Sequence, residues 1–343
     1  MISYIYPEPL PSKMARSVSA INTVCELSKI IETDLIYEKS GEDILDFYDL
    51  KCDKLNLFPI RKKFILRSNK IFNFNLKLNI KDSKDIFYVR HLKVAKELIR
   101  LNKRVVFEIH EIFSDINPKI YELEKFVYEN AKGLVFVNKA VRDESFKKFD
   151  IKAPSKVIYN GCGFDVEYIK KDFSKIDEMF YIGSFQKWKG VDFLIEAVKG
   201  LDITLNIIGG QKQESKENIN FLGFKSKNEV LEILKNSKLT IIPNLPYKES
   251  YYSVPIKLFE YMKTSNIVLS SSFKPIQEIL KDGENGFLFE PADIKSFKNQ
   301  LQHILSLETK ELEKISKNAY STGKDFSWEN RAKKIVDFVK EIR

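Results

Sequence analysis

The sequence reads as an α/β protein of two tandem, doubly wound (Rossmann-like) domains, and three observations carry that reading. Short apolar runs of strand length alternate with stretches of helical spacing, the pattern of parallel strands joined by right-handed crossover helices. The alternation occurs twice, on either side of a polar stretch from Lys170 to Asp177. At 343 residues the chain is long for one core, and two domains of roughly 150 to 180 residues each are the natural division. The boundaries are drawn at 1–168, 169–325 and a terminal helix, 326–343, expected to pack back on the first domain. Two such sheets leave a cleft between facing strand ends.

Met1 to Tyr6 is an apolar strand, and Pro7-Glu8-Pro9-Leu10-Pro11 is read as an irregular loop because proline has no donor to give a ladder. Val18, Ile21, Val24, Cys25 and Leu27 follow helical spacing. Leu35 to Tyr37 and Leu55 to Phe58 read as strands, and Phe72 to Ile80 fits strand or helix. The alternation then becomes regular: strand Ile86 to Val89, helix Leu92 to Leu101, strand Arg104 to Glu108, helix Lys119 to Asn130, strand Leu134 to Val137. Val157 to Tyr159 enters the turn Asn160-Gly161. The second half has strands at Phe180 to Ile182, Leu205 to Ile208, Leu239 to Ile242, Ile267 to Leu269 and Phe287 to Phe289, with helices between them and after them.

Composition excludes several classes. A hydrophobic content of 43% with 31% charged residues is that of a soluble globular chain. No apolar run approaches the ~20 residues of a membrane span, and no basic-then-apolar leader opens the sequence, so a cytoplasmic location is expected. Cys25, Cys52 and Cys162 are odd in number and widely spaced, which argues against a disulfide framework and against zinc. With three histidines, a histidine-rich metal site is not expected. The net charge of +9 is concentrated, with Arg61, Lys62, Lys63, Arg67 and Lys70 interleaved with apolar residues. That segment suits an anionic partner, and a membrane surface at the inner face is the expected one; a solvated helix face is the plain alternative.

The organising stretch is Ser253-Val254-Pro255-Ile256-Lys257-Leu258-Phe259-Glu260-Tyr261-Met262, the helix of a strand-helix-strand unit. Ser253 is read as its cap and Pro255 as a first-turn residue. Lys257, Glu260 and Tyr261 share one face, while Phe259 and Met262 pack on the sheet. A helix start at the carboxyl end of a parallel strand is a favoured place for an anion; a surface Lys-Glu pair is the plain reading. Around it lie Gly183-Ser184-Phe185-Gln186-Lys187-Trp188-Lys189-Gly190, then Ile208-Gly209-Gly210, Phe221-Leu222-Gly223-Phe224 read as a turn, and Asp282-Gly283-Glu284-Asn285-Gly286.

In that order these motifs resemble the GT-B nucleotide-sugar glycosyltransferases, in particular the large retaining group (group 1, family 4 type) that includes sucrose synthases and bacterial mannosyltransferases. The resemblance covers nearly the whole chain, from Asn160-Gly161 through Gly183 to Gly190, Gly209, Phe221 to Gly223 and Lys257 to Met262 to Asp282 to Gly286. It implies a metal-independent hexosyltransferase with no cofactor beyond its co-substrate, a nucleotide diphosphate sugar. The acceptor is a saccharide or lipid-linked saccharide, in cell-surface polysaccharide or glycolipid synthesis. Lys189 corresponds to the cation on the donor diphosphate, Glu260 to the acid on the ribose, and His110, in Glu108-Ile109-His110-Glu111, to the histidine against the donor sugar. Gly183, Ser184, Gly209, Phe224, Ser253, Val254, Pro255 and Lys257 complete the donor side, and Lys13 and Arg16 form a candidate phosphate or acceptor loop. The chain departs from the pattern at Ser184, where an arginine is usual, at Tyr252, where the first glutamate of a Glu-x7-Glu pair falls, and in lacking a glycine pair between Pro7 and Arg16. An inactive scaffold partnering another transferase is the alternative those departures suggest. A nucleic-acid binder leaves the motifs unexplained, and no Gly-x-Gly-x-x-Gly follows the first strand for a dinucleotide.

Overall fold

A computed structural model describes residues 1–41, 43–52, 54–60, 86–210 and 214–342. The basic segment Arg61 to Lys70 and the stretch Phe72 to Ile80 lie outside the described residues. The chain divides into two compact units, Met1–Gly161 with Trp328–Arg343, and Cys162–Ser327.

The first unit holds a seven-stranded sheet in the order β3-β2-β1-β4-β5-β6-β7, with β1 Ile2–Leu10, β2 Thr33–Lys39, β3 Leu55–Ile60, β4 Ile86–Val89, β5 Arg104–Ile109, β6 Gly133–Phe136 and β7 Ser155–Val157. Every described strand pair in it is parallel. β4 and β6 are buried along their whole length because helices cover both faces, so apolar runs replace alternation. The covering helices include α1 Ala15–Ile30, the short α2 Ile44–Phe47, α3 Leu92–Arg100, α4 Phe113–Ile116, α5 Tyr121–Asn130 and α6 Lys139–Lys148. Trp328–Glu341 belongs to this unit and contributes Ala332, Ile335, Val336, Phe338 and Val339 to its core. Gly133 lies beneath it, where a Cβ would crowd the tip of the Ile342 side chain at 2.8 Å.

The second unit repeats the design with a six-stranded parallel sheet, order β10-β9-β8-β11-β12-β13. Its strands are β8 Glu178–Ile182, β9 Thr204–Ile208, β10 Ile219–Gly223, β11 Leu239–Ile242, β12 Ile267–Ser271 and β13 Phe287–Phe289. Helices α7 Val191–Ala197, α8 Lys227–Asn236, α9 Ile256–Lys263, α10 Lys274–Gln277, α11 Ile294–Ser306 and α12 Thr309–Lys324 cover it, and α13 is the Trp328–Glu341 helix of the first unit.

Four local expectations are corrected. Pro7 to Leu10 is strand: β1 continues along β2 to Leu10 with a register shift between Tyr6 and Pro9. β4 pairs with Ile2 to Ile5 only, and on the β2 side Pro7 falls within the register shift, the kind of irregularity at which a strand tolerates proline. Phe221 to Gly223 is the end of edge strand β10 rather than a free turn. The organising helix starts at Ile256 with Pro255 in the capping position and no side-chain cap, so Ser253 does not cap it. Cys25 and Cys52 are joined as a disulfide, with Cα atoms 5.4 Å apart. Their 27-residue separation carries no signal, because the pair meets only once α1 lies over the edge of the sheet and the loop before β3 folds against it.

Candidate functional site

In an open parallel sheet the chain leaves neighbouring strands in opposite directions at one point, and the crevice outside their carboxyl ends is where ligands bind. The order of the second sheet puts that point between β8 and β11. There the backbone of β8 runs out at Gly183, and Gly183 N–H donates to Ile208 O at 2.9 Å while Gly209 N–H donates to Gly223 O at 2.8 Å. The packing permits no side chain at Gly209, since a Cβ would sit 2.1 Å from Gly183 O at a φ of 116°. The loop after β8 is tied to the loop after β11: Leu245 N–H donates to Trp188 O at 2.8 Å, and a Cβ on Gly190 would stand 1.9 Å from Pro243 O.

Into this place α9 sends Lys257. Its Nζ lies 4.0 Å from the centre of the Tyr181 ring and so close to Gly183 that a Cβ there would come within 2.6 Å. The residue is 9% exposed, and the buried Nζ has no hydrogen-bond partner. Lys171, in the same unit, shows what a structural lysine looks like: its Nζ donates to Leu234 O at 2.8 Å, to Asn266 Oδ1 at 2.9 Å and to Ser237 O. Folding therefore satisfies one buried ammonium and leaves the other open. Burial, and next the charge of Lys189, hold Lys257 well below the ordinary lysine range against the pull of Glu260. Burial lowers Lys189, whose Nζ lies 3.4 Å from the Trp188 ring centre, to about 7. Burial raises Glu260 to about 7, against Lys257 and Lys227. A buried lysine nitrogen without an acceptor, beside a helix start with no side-chain cap, makes a site short of an anion.

The first sheet changes direction between β1 and β4. A cavity of about 230 Å3 lies there, lined by Glu8 from the last part of β1, Arg16 from α1, and residues that follow β4 and β5, among them Arg90, His110 and Glu111. His110 is fixed from behind. Its Nε2 lies 2.5 Å from Glu108 Oε1, and Glu108 Oε2 accepts from Tyr88 Oη at 2.5 Å and Arg331 Nη2 at 2.6 Å. Arg331, from α13, also donates to Ile158 O, Tyr159 O and Thr23 Oγ1. Burial alone would raise Glu108, but Arg331, His110 and Arg90 hold it well below the carboxylate range. Burial, then Arg90, lowers His110 to about 4, against Glu108. A neutral imidazole beside an ionised carboxylate carries its proton on Nε2, which leaves Nδ1 as an acceptor.

Comparison with known proteins follows from this geometry. Residues 169–322 match the family model described as glycosyl transferases group 1. By that match the second unit is similar to a group 1 glycosyltransferase domain. Over 216 residues the chain is 28% identical to the uncharacterized glycosyltransferase MJ1178 of Methanocaldococcus jannaschii, a match covering 60% of this chain and 58% of that one. It is 26% identical over 263 residues to an uncharacterized 41.2 kDa protein in a cps region of Klebsiella pneumoniae, covering 71% and 67%. Anabaena HepE, solved in complex with UDP and glucose, superposes with a TM-score of 0.78 at 14% identity, covering 99% of both chains. The likeness to HepE is one of fold, and the fold of the present chain is GT-B.

Within the second unit, Gly183, Ser184, Lys189, Gly209 and Lys257 gather at the β8–β11 crossing, with Glu260 one turn further along α9. Ser184 supplies its carbonyl to Tyr181 Oη at 2.7 Å. Val254 and Pro255 are buried and Ser253 half-buried just before α9, and Phe224, past the end of β10, is 72% exposed. Tyr261 is a core residue whose hydroxyl accepts from Ile182 N–H at 2.9 Å, not a ligand-facing one. Outside the second unit, Arg16 pairs with Glu8 at 2.6 Å, and Lys13 is exposed. Sequence reasoning missed Arg331, 223 residues from the Glu108 it holds. It also missed Asn244, two residues past β11 and wholly buried with both amide atoms unpartnered; the one available signal was a polar residue directly after an apolar run. Among the described residues no cluster of three His, Cys, Asp or Glu side chains is arranged to hold a metal, and no helix is long and apolar enough to cross a membrane.

Proposed function

We propose that the protein transfers a sugar from a nucleotide diphosphate donor, held by the second unit, to a saccharide or lipid-linked acceptor at the first unit, with retention of anomeric configuration. The observation that carries this reading is the buried, unpartnered Nζ of Lys257 beside the Gly183 backbone at the sheet crossing. An arriving diphosphate supplies the missing acceptors, and Lys257 stands where it can take over from the arginine that Ser184 replaces. The bond from the anomeric carbon to the diphosphate oxygen breaks, and the acceptor hydroxyl forms the new bond on the same face. Its proton passes to the departing phosphate oxygen. Lys189 and Lys257 stabilise the charge that grows on the leaving group, which is why no divalent ion is required in this scheme. Glu260 accepts from the ribose, and His110 Nδ1 accepts from a sugar hydroxyl. The basic segment Arg61 to Lys70 is assigned to an anionic membrane face, in cell-surface polysaccharide or glycolipid synthesis; the cps-region relative supports that setting.

The test is turnover of a panel of nucleotide sugars in the presence of a chelator, with proton NMR of the first-formed anomeric signal. An α-linked product from an α-linked donor is expected. A β-linked product, or activity abolished by chelation and restored by magnesium or manganese, overturns the mechanism, and absence of turnover with donor still bound favours a scaffold.

A further inference from the structure

We infer that the acceptor is an anionic saccharide, its phosphoryl or carboxylate group held by Arg90 and Lys93 in the cavity of the first unit. This rests on the glycosyltransferase reading and names the substrate class of its acceptor side.

The cavity lies outside the carboxyl ends of β4 and β5 and beside the last residues of β1, so it occupies the ligand position of this sheet. Its charges are unevenly committed. Glu8 and Arg16 neutralise each other across 2.6 Å. Arg90 spends one donor on Arg16 O at 3.3 Å, and neither Arg90 nor Lys93 has a carboxylate in ion-pair range among the described residues. A half-buried guanidinium with its remaining donors directed to no acid suits the two oxygens of a phosphoryl or carboxylate group. Lys93, exposed in the first turn of α3, adds a second charge where the helix has no acidic residue. Burial is the larger cause of the fall in the pKa of His110 to about 4, and the charge of Arg90 adds to it.

The rest of the lining is that of a sugar site. The Nδ1 of His110 offers an acceptor to a hydroxyl, and Tyr6, Leu92 and Phe113 give an apolar wall for the carbon face of a ring. About 230 Å3 is less than the ~300–1,000 Å3 of pockets that enclose drug-sized ligands, and fits one saccharide unit. A neutral sugar would leave Arg90 and Lys93 without a partner; a bare anion would leave the apolar wall uncovered.

The experiment is saturation-transfer NMR at low salt with three probes, methyl α-glucopyranoside, glucuronate and glucose 6-phosphate, on the native protein, on Arg90→Gln/Lys93→Gln and on Arg90→Lys. At least one anionic probe is expected to bind tenfold or more tightly than the neutral glucoside, and which one does so separates a uronate from a sugar phosphate. The double variant should bring the ratio near one, and Arg90→Lys should keep part of it. Lys93→Gln alone, at an exposed position, serves if the double variant does not fold, with about a threefold loss expected. Equal binding of neutral and anionic probes, no binding of any probe, or an unchanged preference in the variants overturns the proposal. Nucleotide-sugar binding is measured in the same samples. Its absence throughout refutes the transferase reading separately, whereas its loss only in the variants assigns these cations to the donor and overturns the acceptor assignment.

Discussion

Lys257→Met separates the stability of the second unit from its ligand binding, because the two should move in opposite directions. The methionine keeps the stem that passes Tyr181 and removes a buried amine without a partner. Leaving such a group unsatisfied costs about 1–3 kcal/mol, of which the contact with the Tyr181 ring returns a part. A net gain of about 1–2 kcal/mol for the empty protein is expected, or about 2–8 °C in midpoint for a domain of this size. The pH dependence carries a sign as well. The folded pKa of Lys257 lies below its unfolded value, so the unfolded chain binds the extra proton and native stability rises with pH toward 10.5. The variant should show a weaker rise between pH 7.5 and 9.5. With UDP as probe the effect reverses: one charge-assisted hydrogen bond is worth about 1.5–3 kcal/mol, so affinity by calorimetry should fall about ten- to a hundredfold. A variant less stable when empty, or one that binds UDP as tightly as the native protein, refutes the argument that Lys257 is kept unpaired for an anion.

His110→Gln tests the network behind the first cavity. The folded pKa of about 4 lies below the ordinary 6.5, so stability should be lost as pH falls across that window, by at most about 1.4 kcal/mol per pH unit. Urea midpoints at pH 7, 5.5 and 4.5 should show a shallower decline in the variant, and identical slopes would remove the assignment. Glu108→Gln should cost about 3–5 kcal/mol, because the Arg331 guanidinium, 2% exposed, loses its counter-charge; a midpoint within a degree of native contradicts it. Gly209→Ala should prevent normal folding of the second sheet end, since the clash is with backbone at Gly183; a soluble variant with native donor affinity argues against the tight crossing. Cys25→Ser should cost about 2–4 kcal/mol through the closed 27-residue separation, and alkylation before reduction should leave Cys25 and Cys52 unlabelled.

Much of this was legible in the chain. The strands Ile86 to Val89, Leu239 to Ile242 and Phe287 to Phe289 could be read residue for residue, because strands packed under helices show as mainly apolar runs of strand length. The glycines at 183 and 209 and the pair Lys257 and Glu260 were visible as motifs, since close backbone approach and a charge at a helix start each require a particular residue type. Tertiary structure decided what those residues do. Lys257 could equally have been half of a surface ion pair until the fold buried its nitrogen beside Tyr181 with nothing to bond. Pro7 and Pro9 read as a break until the pairing of β1 with β2 resumed past them through a shift in register. Cys25 with Cys52, and Glu108 with Arg331, are partners that no local pattern announces. A sequence records which groups must be buried or bend the backbone, because those demands are local; which distant groups meet is fixed by how the sheet orders its strands and where the last helix returns.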